Sequence, residues 1–198
     1  VAVLPYTELE AVNLILRNMG EARVNSLLNP PLDASEALGT LREISLEVQK
    51  RGWYFNTEFH RFPPDTSGLI ALPKNTLDVK SAGPDRALKV TIRGEHLYRL
   101  EAYNNGPVFI GPVHVRLILG LDFDDLPASA RSYIAIRAAR VAQIRSVGDQ
   151  MSAQEDNADE TRALAELHSE QLSNERLSLR NSSGVSQGLS GGVFVLGQ

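Results

Sequence analysis

Apolar positions recur along this chain with two different periods. Up to residue 52, and again from residue 122, they return every three or four residues, which puts them on one face of a helix. Between residues 53 and 121 they alternate or fall in short runs, the pattern of strands. Thr7-Glu8-Leu9-Glu10 reads as a capping box that opens a first helix. Leu9, Val12, Leu16 and Met19 give its stripe, and Gly20 its stop. The polar stretch 21–32 ends in Pro30-Pro31 and should be extended. Asp33 with Glu36 marks a second start. Ala34, Ala37, Leu41, Ile44 and Val48 share one face, and Lys50 and Arg51 suit the negative pole before Gly52.

Trp53-Tyr54-Phe55 and residues 59–62 are β-favouring. Short strands are expected at 69–72, 76–80, 88–93, 96–100, 108–110 and 113–119. Gly94-Glu95 reads as a hairpin turn of the Gly-first type, and Asn104-Asn105-Gly106-Pro107 as another turn. Strands at this spacing suggest a small antiparallel sheet or sandwich.

Residues 122–148 read as one long helix around which the chain is arranged. Asp125 is its expected cap, Pro127 falls in its first turn, and Gly148 can end it. Ala130, Ile134, Ala138 and Val141 form its stripe. Ser152-Ala153-Gln154-Glu155 is a third capping box, opening a helix to about residue 177 that is sparsely apolar and rich in acids. Such a helix is either a solvated cover or one side of a subunit contact. The Ser/Gly-rich tail then ends in Val193, Phe194, Val195 and Leu196. It reads either as a frayed terminus or as an arm whose tip docks on another subunit by strand addition.

The predicted fold is α+β: an antiparallel-type four-helix bundle with an inserted small antiparallel β domain and an extended C-terminal arm. Residues 7–52 and 122–178 supply two helices each, 53–121 the insert and 179–198 the arm.

Composition narrows the function. Of 198 residues, 42% are hydrophobic but only 6% aromatic, so the core must be mainly aliphatic. A formal net charge of -4 argues against a dedicated DNA-binding protein and fits a wall that nucleic acid passes without sticking. Cysteine is absent, which removes disulfides and thiolate metal sites. No apolar run approaches the roughly 20 residues of a membrane span, and residues 1–4 are too short for a signal peptide. Synthesis in a cytoplasm is expected, with no membrane partner.

The search for chemistry returns little. Gly184-Val185-Ser186-Gln187-Gly188 matches a nucleophile elbow but has neither the strand nor the helix that the motif needs. No phosphate loop or dinucleotide fingerprint is present, so no cofactor is expected. His60, His96, His114 and His168 share no ligand spacing. Asp122, Asp124 and Asp125 resemble a cation cluster, but their place at a helix start is reason enough for them. Glu43 and Glu47 read as a solvated face. Glu58 and Asp65, flanked by aromatics, are the candidate pair for a polysaccharide hydrolase, which needs two carboxylates across a cleft.

Arg131, Arg137, Arg140 and Arg145 stud the long helix. Arg137 and Arg140 can meet on one side and pair with carboxylates such as Glu155 and Asp159 of the fourth helix, across a subunit interface or within one chain.

Arg51-Gly52-Trp53-Tyr54-Phe55-Asn56 with Thr57-Glu58 resembles a signature of the tail tubular protein A family of short-tailed, podovirus-type phages. So does Asp122-Phe123-Asp124-Asp125-Leu126-Pro127 followed by Tyr133-Ile134 and Arg137-Ala138-Ala139-Arg140. Glu8 through Asn13, Gly20-Glu21 and residues 33–42 fit as well. The resemblance implies a structural virion protein, a head-to-tail adaptor that forms a ring, a dodecamer, under the portal. It also implies a tail nozzle below, tail fibres around the junction and genomic DNA passing through. Other readings are the tail-associated hydrolase and a DNA-contacting protein.

Overall fold

The computed structural model describes residues 6–101, 105–146 and 152–181, with the side chains of 152–156 and 176–181 outside the description. The expected ends of the long helix (Gly148) and of the arm (Val193, Phe194, Val195, Leu196) lie outside the described residues. The fold is α+β, with four helices and small antiparallel sheets.

Helix α1 (Glu8–Met19) begins and ends as its sequence dictates. Thr7 and Glu10 close a reciprocal capping box, and Gly20 takes the left-handed conformation at φ 79°. Helix α2 (Leu32–Gln49) departs from expectation at its start. Pro31 is its cap, with no side-chain cap bond, and Asp33 lies inside the first turn. There its charge still faces the positive pole, which is why it looked like a start signal.

Trp53, Tyr54 and Phe55, expected as strand, form a tight turn instead. The cause is Gly52. Its φ of 75° reverses the chain, and a Cβ there would come within 2.6 Å of the Ile118 side chain. The turn delivers Trp53 and Asn56 to the end of α2. The Trp53 indole N–H donates to the Val48 carbonyl at 2.8 Å, and Asn56 Nδ2 donates to the carbonyls of Gln49 and Leu119 at 3.0 and 2.8 Å. Buried Gln49 reaches across to the returning chain. It accepts from the Leu121 N–H at 2.8 Å and donates to the Leu121 carbonyl at 3.0 Å.

Strands β1 (Thr57–Phe62), β2 (Thr76–Ser81) and β5 (Val113–Leu119) make an antiparallel sheet in the order β1-β5-β2. Strands β3 (Val90–Arg93) and β4 (His96–Arg99) form a separate hairpin. Its turn has Gly94 at φ 62°, the Gly-first turn that the spacing predicts. The expected strands at 69–72 and 108–110 contribute only isolated bridges. Val113, Val115, Leu117 and Leu119 alternate into a β core with Ile70, Val79 and Leu97. Asp85 pins a short turn beside it, accepting from the His114 backbone N–H, with the ring Nδ1 of His114 also at 2.8 Å.

Helix α3 (Ala128–Ser146) starts later than expected. Residues Phe123–Asp125 form a separate 3₁₀ turn, and the Pro127 carbonyl receives the first helical bond, from Arg131. Asp125 therefore does not cap it. The helix packs against α1, α2 and α4. Being central, it buries Ala135, Ala139 and Ala142 as well as Ala130, Ile134 and Ala138 of the predicted stripe, whose fourth member, Val141, is only partly buried. Helix α4 (Ser152–Asn181) lies on α3 with Ala163 and Leu167 in the helical core. It is a cover with its own share of that core. Leu121 packs against both the helical and the β core.

Trp53 is 3% exposed, so Trp53→Ala is expected to cost about 3–5 kcal/mol through the cavity it leaves, read from the denaturation midpoint. An unchanged midpoint would show that the indole carries none of the joint. The Asp85 carboxyl is held below the usual carboxylate range, first by the His114 backbone N–H and then by its ring. A depressed acid stabilises the fold above its unfolded value of about 4 and loses that contribution as pH falls through the folded value. The stability gap between the native chain and Asp85→Asn is therefore expected to be widest above about pH 4 and to close in more acidic solution. A gap of constant size across that range would mean that the ionised carboxylate is not what holds the turn.

Candidate interaction sites

Three arginines of α3 meet acids from two other helices. Arg137 donates from Nη1 to Glu160 at 2.9 Å and from Nη2 to Glu47 at 2.7 Å. Arg140 donates from Nε to the second Glu160 oxygen. Arg145 forks onto Glu43 at 2.9 and 3.1 Å. Glu160 is only 6% exposed and stands between two guanidiniums. Burial works against the Arg137 charge, but the Glu160 hydrogen bond, with Tyr133 and Glu47 nearby, more than offsets it and raises its pKa. The Arg145 hydrogen bond pulls the Glu43 carboxyl below its ordinary range, although such an exposed pair contributes little to stability.

Arg137 and Arg140 thus both end on α4 of the same chain. Asp159 faces solvent beside Arg162, at 3.2 Å. Glu155 lies on α4, but its side chain falls outside the described residues, as do Val193, Phe194, Val195 and Leu196.

A second polar clamp holds α4 ten residues further on. Glu170 accepts from the hydroxyls of Tyr54 and Ser129, and Gln171 accepts from the Tyr54 backbone N–H at 2.8 Å. Burial, followed by the neighbouring carboxylate, pushes the Tyr54 hydroxyl well above its ordinary pKa. From the sequence Glu160 and Glu170 stand only among the many acids of the fourth helix, and Gln171 is unmarked. The signal was their spacing: with Ala163 and Leu167 they form one helical stripe, so these polar residues share the face that α4 turns to α3.

The acids around residue 122 line an open cleft of about 580 Å³ between α2 and the 3₁₀ turn, with Glu8, Arg42 and Gln49. Asp124 accepts from the Glu8 N–H at 2.9 Å, and the Glu8 carboxylate pairs with Arg42 at 3.2 Å. Asp124 is therefore a clamp on the start of α1. Among the described residues no group of three or more His, Asp or Glu side chains could hold a metal.

Glu58 lies 2.6 Å from His60 on the exposed side of β1. Asp65 accepts from the backbone of Ser67 and Leu69 at 2.8 and 2.9 Å and so braces its own turn. Neither lines the cleft. His168 rests against Trp53, ring centroids 5.2 Å apart.

Several apolar side chains have no cover. Ile110 is fully exposed, Phe59 is 71% exposed on β1, and Val108 and Leu172 are each about half exposed. No local pattern in the sequence marks them as exposed.

Comparison with known proteins bears on the whole described body. The family model described as Tail tubular protein matches residues 9–177, from α1 through the β region to α4. The chain is also 34% identical over 128 residues to Tail tubular protein A of Klebsiella phage KP34, a match covering 65% of this chain and 67% of that protein. No helix among the described residues is long and apolar enough to cross a membrane. The helical body, the Gly52–Asn56 joint and the inserted strands all fall within the matched span, and the chain belongs to the tail tubular protein family, a structural component of the phage tail.

Proposed function

We propose that this chain is the adaptor subunit at the head-to-tail junction. Copies close into a ring, a dodecamer, that joins the portal to the tail nozzle and fibres and forms part of the path for ejected DNA. The role is structural rather than enzymatic. The observation that carries this reading is the family match over residues 9–177, which takes in every strand described and all but the outer ends of α1 and α4. In this reading residues 7–52 and 122–178 act as one four-helix bundle, 53–121 is an insert turned toward a different partner, and 179–198 is an arm.

The surface chemistry supports it. A ring of identical subunits joins two different faces of each copy in head-to-tail contacts that close. Ile110, Phe59 and Leu172 offer apolar area for such faces. Arg137 pairs with Glu160 and Glu47, whereas among the described residues Arg140 pairs with Glu160 through Nε, and this reading assigns its terminal nitrogens to a neighbour. Glu155, Asp159 and the tip residues Val193, Phe194, Val195 and Leu196 complete the surface assigned to neighbouring subunits or the portal. The acidic balance of the chain suits passage of DNA without retention.

Mass photometry and electron microscopy of the chain mixed with its portal are expected to show a closed ring seated on the portal. A chain that stays monomeric and never associates with portal would defeat the reading. Deleting residues 189–198 is expected to leave the monomer's melting point unchanged while weakening ring assembly. Full assembly by the truncated chain would remove the arm from the interface.

A further inference from the structure

Strand edges expose unpaired backbone N–H and C=O groups and invite another strand. In this protein the edges differ in how far other segments cover them. Strand β2 also ends its sheet, but β3 lies close beside it and the Leu88 carbonyl accepts from the Ser81 hydroxyl. Strand β4 is bridged by Ala71 and Gly106, and the Leu97 N–H donates to Ile70 at 2.9 Å. Strand β1 is different. It pairs with β5 on one side, and among the described residues no backbone hydrogen bond joins its other side to anything. Glu58, Phe59, His60 and Arg61 are all exposed. The charges on Glu58 and Arg61 discourage chance pairing, yet Phe59 stands 71% exposed beside them, an apolar anchor without a partner.

We propose that the open edge of β1 in one copy receives residues Val193, Phe194, Val195 and Leu196 of a neighbouring copy as an added fourth strand. The proposal rests on the ring reading and names the acceptor for the arm. The tetrad is β-favouring and uncharged, so it can lie beside Glu58 and Arg61 without meeting a like charge. As a strand it sends alternate side chains to each face, so two of its four cover the Phe59 face. Residues 182–192, which link α4 to the tetrad, are rich in Ser and Gly and span at most roughly 40 Å. In the ring reading a tether of that length keeps the local concentration of the tip high at a neighbouring copy. Backbone pairing gives the affinity, and Phe59 sets where the tip sits.

The chain has no cysteine, so introduced thiols report one contact only. Arg61→Cys and Val195→Cys chains are mixed, assembled and treated with a short bismaleimide. The expected product is a covalent dimer whose linked peptides join position 61 of one chain to position 195 of the other, absent from unassembled protein. Val195→Pro, which removes a strand N–H, is expected to raise the concentration needed for assembly by about tenfold without moving the monomer's melting point. Rings that form normally yet give no such dimer would overturn the proposal and leave the ring reading standing. A link formed only within single chains carrying both substitutions would also overturn it, by showing self-docking. Absence of any ring would remove both readings together.

Discussion

The last carbonyls of a helix have no partner within it and must find donors elsewhere. At the end of α2 those donors are the side chains of Trp53 and Asn56, which stand at the entrance to the β region. The same Asn56 amide also holds the Leu119 carbonyl at the end of β5, and buried Gln49 holds Leu121 by both its donor and its acceptor. The helix end, the first strand and the last strand are thereby wired through three side chains. Each of these buried polar groups is satisfied only while the others stay in place, and a buried group left unpaired costs about 1–3 kcal/mol. The helical core and the β core would otherwise meet mainly through Leu121. The motif from Gly52 to Asn56 thus carries a mechanical role.

A second constraint lies in α3. A helix touched by three others cannot carry large side chains all round without forcing them apart. Its buried residues include Ala130, Ala135, Ala138, Ala139 and Ala142, with Tyr133 and Ile134 as the bulky exceptions. Small residues let α1, α2 and α4 approach closely.

This accounts for what was legible in the sequence. Helix α1 was read to the residue because its signals are local: a capping box and a left-handed glycine. The α3 stripe was legible, but its further buried alanines were not, since alanine is as common on exposed helix faces as on buried ones. Trp53, Tyr54 and Phe55 favour strand by composition, but that propensity yields to the turn at Gly52 and to the indole bond to the Val48 carbonyl. The use of Asp124 as a clamp on α1 depends on where that helix begins in space, which no local pattern states. The pairing of Arg137 and Arg140 with acids of the fourth helix was legible, but the particular acid was not. Glu160 is one of many acids on α4, and only its register with Ala163 and Leu167 sets it apart.

That register explains why a buried charge is tolerated at all. Two guanidiniums around a nearly buried carboxylate are a costly way to gain stability, since desolvation consumes much of the attraction. Their value lies in position. Ala163 and Leu167 alone would let α4 slip along α3 by a turn at modest cost, because small apolar contacts discriminate poorly between registers. The Arg137–Glu160–Arg140 cluster and the Tyr54–Glu170–Ser129 cluster lie ten residues apart on α4, about 15 Å along its axis. A slip of one turn would strand both at once, each leaving polar groups buried without partners. Two clamps at that separation fix the helix in translation and in rotation, and so fix the point from which the chain beyond Asn181 sets out.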